Sequence, residues 1–224
     1  MSLVKETTKQ LLHQSKFLAY KLRRRGEVAL RRFVPPAASR PLPTNPGGRV
    51  LLHLGCGTID APGFINIDAQ AAPHVHYELD VRDLSPFADQ SVDLVYSCHV
   101  LEHYPAHEHP EILWEWSRVL KPGGVLRISV PGFEELLHVY EEQGRDVSTI
   151  VGPLMGYDDG YNAHCHIFNL AYFEQVLTQA GLRDVRRWDP DVVDNHDFED
   201  WASRKVTRGD KKYRISINVE ADKA

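Results

Sequence analysis

Two apolar strands joined by a connection too short for a helix constrain the fold of this chain more than any other feature. Leu51-Leu52-His53-Leu54 reads as a buried strand and Gly55-Cys56-Gly57-Thr58 as a glycine turn. Phe64-Ile65-Asn66-Ile67-Asp68 reads as a second buried strand ending in a carboxylate. Glycines at such a turn let a ligand lie directly on the backbone, because no side chain intervenes. The carboxylate of Asp68, at the tip of the next strand, is placed to accept hydrogen bonds from a ribose diol. A dinucleotide site would need a helix starting at the glycine turn to hold a pyrophosphate, with its acidic residue about 20 residues on. Here only Thr58 to Gly63 separate Gly57 from the second strand, and Pro62 and Gly63 are among them. A crossover helix of about ten residues does not fit there. The expected ligand is a nucleoside without phosphates.

Around this core the chain divides into three parts. Residues 1–34 form a basic N-terminal helical extension, with nine Lys and Arg side chains from Lys5 to Arg32 against Glu6 and Glu27. Its apolar stripe suits packing on the domain or on a protein partner, or lying on an anionic membrane surface. Residues 35–48 are a proline- and glycine-rich linker. Residues 49–224 alternate apolar runs with helical stripes, as in a mainly parallel sheet with helices on both faces. Strands are expected near 49–54, 64–68, 76–80, 92–97, 125–130, 183–188 and 213–220, and helices over 110–120 and 170–180. The last strand follows a loop too short for a crossover and is expected to run antiparallel. The fold class is therefore α/β, a single Rossmann-like domain on seven strands.

The formal charge of −5 gives no overall footprint for nucleic acid. Cys56, Cys98 and Cys165 have no framework spacing and suit reduced thiols. No apolar run reaches the 18 or so residues of a membrane span, and Lys16, Lys21 and Arg23 interrupt the N-terminal apolar residues. A cytoplasmic location is expected.

Four segments in order, LLHLGCGT at 51–58, INIDA at 65–69, ELDVRDLSPFADQSVDLVYSCHVLEHY at 78–104 and EWSRVLKPGGVLRISVP at 115–131, resemble the class I S-adenosylmethionine (SAM)-dependent methyltransferases, particularly the "type 11" small-molecule group. The resemblance implies SAM as cofactor, S-adenosylhomocysteine as product, and SN2 methyl transfer to an oxygen or nitrogen of a small-molecule or carbohydrate acceptor. It places Gly55, Cys56 and Gly57 against the methionine and ribose portions, Asp68 on the ribose hydroxyls and Asp80 on the adenine amino group. Val81 or Arg82 would cover the ring, while Ser97, Cys98 and His99 would border the methionine tail and the reacting centre. The chain has His53 where the family usually has an acidic residue, and Ile59 where it often has glycine.

His99, His103, His164 and His166 are the candidate catalytic bases, because a neutral imidazole accepts a proton near neutral pH. With no H-E-x-x-H or paired C-x-x-C pattern, no metal site is expected. The segment Gly156 to His166, rich in polar and aromatic groups, reads as a substrate loop with the character of a lid. The alternatives are a non-catalytic binding module on the same fold, for which His53 and Ile59 speak, and an NAD-type oxidoreductase or epimerase.

Overall fold

The computed structural model describes residues 38–157 and 162–224. The basic extension expected at 1–34 lies outside the described residues. In chain order the strands are β1 (Leu51–Leu54), β2 (Phe64–Asp68), β3 (Tyr77–Glu78), β4 (Val92–Cys98), β5 (Leu120–Pro131), β6 (Leu182–Arg187), β7 (Lys205–Arg208), β8 (Lys211–Arg214) and β9 (Ser216–Lys223). Helices α1 (His109–Val119), α2 (Phe133–Glu142), α3 (Val151–Met155) and α4 (Leu170–Gln179) lie between them. One seven-stranded sheet has the order β3-β2-β1-β4-β5-β9-β6. Strands β3, β2, β1, β4 and β5 pair in parallel, and β9 is antiparallel to both β5 and β6.

β1 and β2 pair in parallel from Leu51↔Phe64 to Leu54↔Ile67, and no helix lies between them. With no helix following Gly57, no helix N-terminus is present to receive a pyrophosphate, which removes the physical basis of the dinucleotide alternative.

The two faces of the sheet are covered differently. Leu52 and Leu54 of β1, Leu126, Ile128 and Val130 of β5 and Ile217 and Val219 of β9 share one buried cluster with α1 and α4. Trp116 of α1 and Phe173 of α4 are wholly buried in it. On the opposite face Leu51, Phe64, Leu94 and Tyr96 meet Trp188, Val193, Phe198 and Ala202. Among the described residues that face is covered by an irregular segment, 188–204, rather than by a helix.

Each helix ends where its sequence dictates. The Asn169 side chain accepts from the Tyr172 N–H at 2.9 Å and caps α4, while Gly181 just beyond it takes φ +80°. Pro110 sits in the first turn of α1, where its missing N–H costs nothing. Glu115 of α1 is buried, accepting from the Leu84 N–H and from Arg118 Nε, each at 2.9 Å. Trp116 Nε1 donates to the Val81 carbonyl at 2.9 Å. These bonds fasten the loop after β3 to the helix.

Three expectations change in detail. The strand expected at 125–130 begins already at Leu120, which pairs with Val92, so Lys121-Pro122-Gly123-Gly124 falls inside β5 at a register shift, with Gly123 at φ +77°. The stretch expected as one strand at 213–220 splits: Arg208-Gly209-Asp210 closes a separate β7–β8 hairpin, and the sheet strand begins at Ser216. Residues 38–48, read as linker, are hydrogen-bonded to the domain, with Ser39 N–H donating to the His76 carbonyl at 2.8 Å and Asn45 Nδ2 to the Gly63 carbonyl at 2.8 Å. No helix among the described residues is long and apolar enough to cross a membrane.

Candidate active site

At the carboxyl end of β1 the chain turns on two left-handed glycines, Gly55 at φ +64° and Gly57 at φ +54°. The N–H groups of Gly55 and Cys56 both donate to the Ile67 carbonyl, at 2.8 and 3.1 Å, holding the turn against β2. Gly57 N–H donates to Asp68 Oδ2 at 2.8 Å, and the other carboxylate oxygen accepts from Gln70 N–H at 2.9 Å. Two backbone donors thus aim the carboxylate at the strand tip, leaving lone pairs on both oxygens. A Cβ at Gly57 would meet nothing within 4 Å, whereas one at Gly55 would stand 2.3 Å from Val100 Cγ2.

This turn forms one wall of a cavity of about 540 Å³. The residues after β4 make a second wall with Cys98, His99, Glu102 and His103. Gly156, Asn162 and His164 make a third, and Asp200, Trp201 and Arg204 a fourth. The volume suits a drug-sized ligand. A second cleft of about 650 Å³ shares Arg204 with this cavity; it is lined by Asp191, His196, Asp197, Phe198, Glu199 and further cations, and it presents no glycine backbone.

Of the residues singled out in the sequence, Gly55, Cys56, Gly57, Cys98, His99, His103 and His164 come together on this cavity. Asp68 is not a lining residue; it reaches the cavity through its bond to Gly57. Asp80 is engaged with Arg82, whose Nη2 lies 2.6 Å from Asp80 Oδ2 while Nη1 reaches Glu108 at 3.1 Å. The Val81 and Ser97 side chains are buried in the sheet layers away from the cavity. His166 packs among His109, Phe168 and Tyr172, its ring centroid 4.4 Å from that of Tyr172, and does not line the cavity.

The cavity's ionisable groups are shaped by burial. The Cys56 thiol is pushed up to about 12 and stays protonated. His99 is pulled down to about 3 by burial; its Nε2 lies 2.8 Å from Ser216 Oγ and its ring stacks on Trp201. His164 is lowered by burial and by neighbouring His103. His103 Nδ1 faces the Ala163 carbonyl at 3.2 Å. Glu102, only 1% exposed, is pushed up to about 8 by burial.

Asp200 is different. Burial pushes its carboxyl up, but His196 and the Tyr96 hydroxyl, which donates to it, outweigh that and hold it below the usual carboxylate range. His53 is buried and pulled down to about 4, so it is neutral. The negative charge on this wall is therefore that of Asp200, not of a residue in the first strand. Sequence reasoning missed Asp200, Trp201 and Arg204 because segment 188–204 carries no motif and meets β4 only through the fold. Glu102 was in view, inside Leu101-Glu102-His103, but nothing local marks it as a cavity residue.

These groups fit an adenosyl sulfonium. The turn is open at Gly57, the Asp68 carboxylate is bonded to its N–H, and the ionised Asp200 carboxylate is available to a cation, whereas the Trp201 ring is already engaged by His99 and by the Arg204 guanidinium at 4.7 Å.

Against known proteins, residues 56–128 match the methyltransferase domain family. No curated protein matches the chain. Among solved structures, a SAM-dependent methyltransferase from Methanosarcina mazei is 18% identical, with 77% of this chain and 91% of that one covered and a TM-score of 0.48. One from Archaeoglobus fulgidus is 15% identical, with 90% and 94% covered and a TM-score of 0.49. The Burkholderia thailandensis 1,6-didemethyltoxoflavin-N1-methyltransferase, solved with 1,6-didemethyltoxoflavin and S-adenosylhomocysteine, is 16% identical, with 79% and 72% covered and a TM-score of 0.49.

Proposed function

We propose that the chain is a class I SAM-dependent methyltransferase, a reading supported by the methyltransferase-domain match over residues 56–128 and by the sheet order, and that it methylates an oxygen or nitrogen atom of a small-molecule or glycan-type acceptor. The observation that carries this reading is the pair of left-handed glycines whose second N–H is tied to the Asp68 carboxylate at a strand tip. When bound, the cofactor supplies an electrophilic methyl group on a good leaving group, open to SN2 displacement.

The protein's work is then to bind, orient and dry the reactants. Gly55, Cys56 and Gly57 offer backbone to the cofactor, and Asp68 accepts from the ribose hydroxyls. Asp80 would turn from Arg82 toward the adenine amino group, with Val81 lending backbone rather than its buried side chain. Asp200 holds the cationic end in place of the acidic residue that His53 replaces. His103 and His164 face the cavity as bases for the acceptor's proton; His99 is too weakly basic for that task and orients the wall through Ser216. Arg204, on the same wall, favours an acceptor carrying negative charge.

Incubating the protein with methyl-labelled SAM and a panel of hydroxylated and aminated sugars and small acids tests the reading. Label on an acceptor oxygen or nitrogen is the expected outcome, and label on carbon would contradict it. The buried, neutral His53 favours a second reading, a binding module without turnover. It would show as tight S-adenosylhomocysteine binding with no transfer to any acceptor class.

A further inference from the structure

Glu102 and His103 follow β4, and His164 comes from the segment after α3, yet one ligand-capable atom from each lies within 4.8 Å of the others. Glu102 is 1% exposed, and neither carboxylate oxygen has a hydrogen-bond partner. Buried polar atoms in that state are uncommon and call for an explanation.

His99 does not relieve the carboxylate. Ser216 Oγ gives its one proton to the Trp201 carbonyl at 2.8 Å, so toward His99 Nε2, also at 2.8 Å, it can only accept. The His99 proton therefore sits on Nε2, and Nδ1 turns a lone pair toward Glu102 Oε1 at 3.2 Å. Two acceptors facing each other in a buried place need either a proton shared between them or a cation beside them.

We propose that Glu102, His103 and His164 hold a divalent transition-metal ion of the zinc type, with its open coordination positions toward the cavity. Two imidazoles and one carboxylate are a donor set of catalytic zinc and other open transition-metal sites. Ligands in a tetrahedron about 2.1 Å from an ion stand roughly 3.4 Å apart, so side-chain adjustments of about 1 Å close the set. One outer contact suits the purpose: a His103 N–H on Nδ1 donates to the Ala163 carbonyl and leaves Nε2 bare. Metal-bound histidines are oriented through their second nitrogen in this way. The open positions take an oxygen donor, water or an acceptor hydroxyl. The assignment stands on these side chains alone and does not depend on methyl transfer; with the ion bound, the His103 and His164 lone pairs would be occupied, so it replaces their proposed role as bases. It departs from the expectation of no metal because His103 and His164 are far apart in sequence, so no local motif announces them.

The test uses the untagged full-length chain, stripped with a chelator and titrated with Zn²⁺ by calorimetry and with Co²⁺ by visible absorption. One ion per chain is expected, with a Co²⁺ spectrum of nitrogen and oxygen ligation. Glu102→Gln and His164→Gln should each weaken binding at least tenfold. Circular dichroism and thermal unfolding of the same samples report folding, and S-adenosylhomocysteine binding, measured separately, keeps the cofactor reading apart. Should Glu102→Gln not fold, His164→Gln, on a partly exposed loop, decides alone. No uptake of either ion at micromolar concentration, or uptake that survives the substitutions, overturns the site; absent uptake with a fully stable Glu102→Gln variant would identify a proton on Glu102 instead.

Discussion

Adding one methyl group to either glycine of the turn should give two opposite phenotypes. Both residues have positive φ, which costs an L side chain about 1–2 kcal/mol. At Gly57 that is the whole stability cost, because its new Cβ would meet nothing within 4 Å. At Gly55 the Cβ would stand 2.3 Å from Val100 Cγ2. Val100 is branched at Cβ and buried, so it yields only by leaving its preferred rotamer, and overpacking of this kind adds about 1–3 kcal/mol. Gly55→Ala should therefore lose about 2–5 kcal/mol and Gly57→Ala about 1–2. For a chain of this size these losses correspond to Tm decreases of roughly 4–20 °C and 2–8 °C. Binding should rank the other way per unit of stability lost. The Gly57→Ala methyl stands in the cradle itself, and about 1–3 kcal/mol of crowding there weakens S-adenosylhomocysteine by roughly 5- to 150-fold. Calorimetric unfolding without ligand and isothermal titration with it measure the two quantities. Equal stability of the two variants, or parental affinity in Gly57→Ala, would refute the reasoning.

Other outcomes follow from the buried charges. His53 is held down at about 4 when folded, against about 6.5 when unfolded, so the unfolded chain takes up the proton first as pH falls. Its contribution is intact above the unfolded value and lost between pH 6.5 and 4, by about 3 kcal/mol in all; urea midpoints for the parent and His53→Asn at pH 7 and 4.5 should diverge, and parallel pH dependence would count against it. Glu115→Ala takes the buried partner from Arg118, which keeps Asp89 and the Phe87 and Leu84 carbonyls, and should cost about 1.5–3 kcal/mol, whereas no measurable loss would contradict the buried pairing. Asp200→Asn should weaken SAM several-fold more than S-adenosylhomocysteine, because only SAM carries the sulfonium; equal losses would remove Asp200 from that role.

What the sequence revealed was local. The glycine turn, Asp68 and the short β1–β2 connection lie within 18 residues, so apolar runs and turn chemistry suffice to place them. α4 was legible for the same reason, with Asn169 and Gly181 marking both ends. The parts that were not legible are made by the fold. Tyr96 and Asp200 stand 104 residues apart and meet only because segment 188–204 covers the sheet face that no described helix covers. His166 resembled its neighbour His164 in sequence, yet packing on Phe168 and Tyr172 takes it out of the cavity. Val81 and Ser97 sit at the motif positions, but their side chains turn into the sheet layers.

Titration of S-adenosylhomocysteine into the full-length chain, beside Asp68→Ala and Asp68→Asn, tests most directly whether this turn holds an adenosyl ligand. One molecule should bind per chain, with Asp68→Ala roughly 10- to 150-fold weaker through lost charge-assisted hydrogen bonds and Asp68→Asn between the two. No binding by the parent chain, or the same affinity in all three proteins, would contradict it.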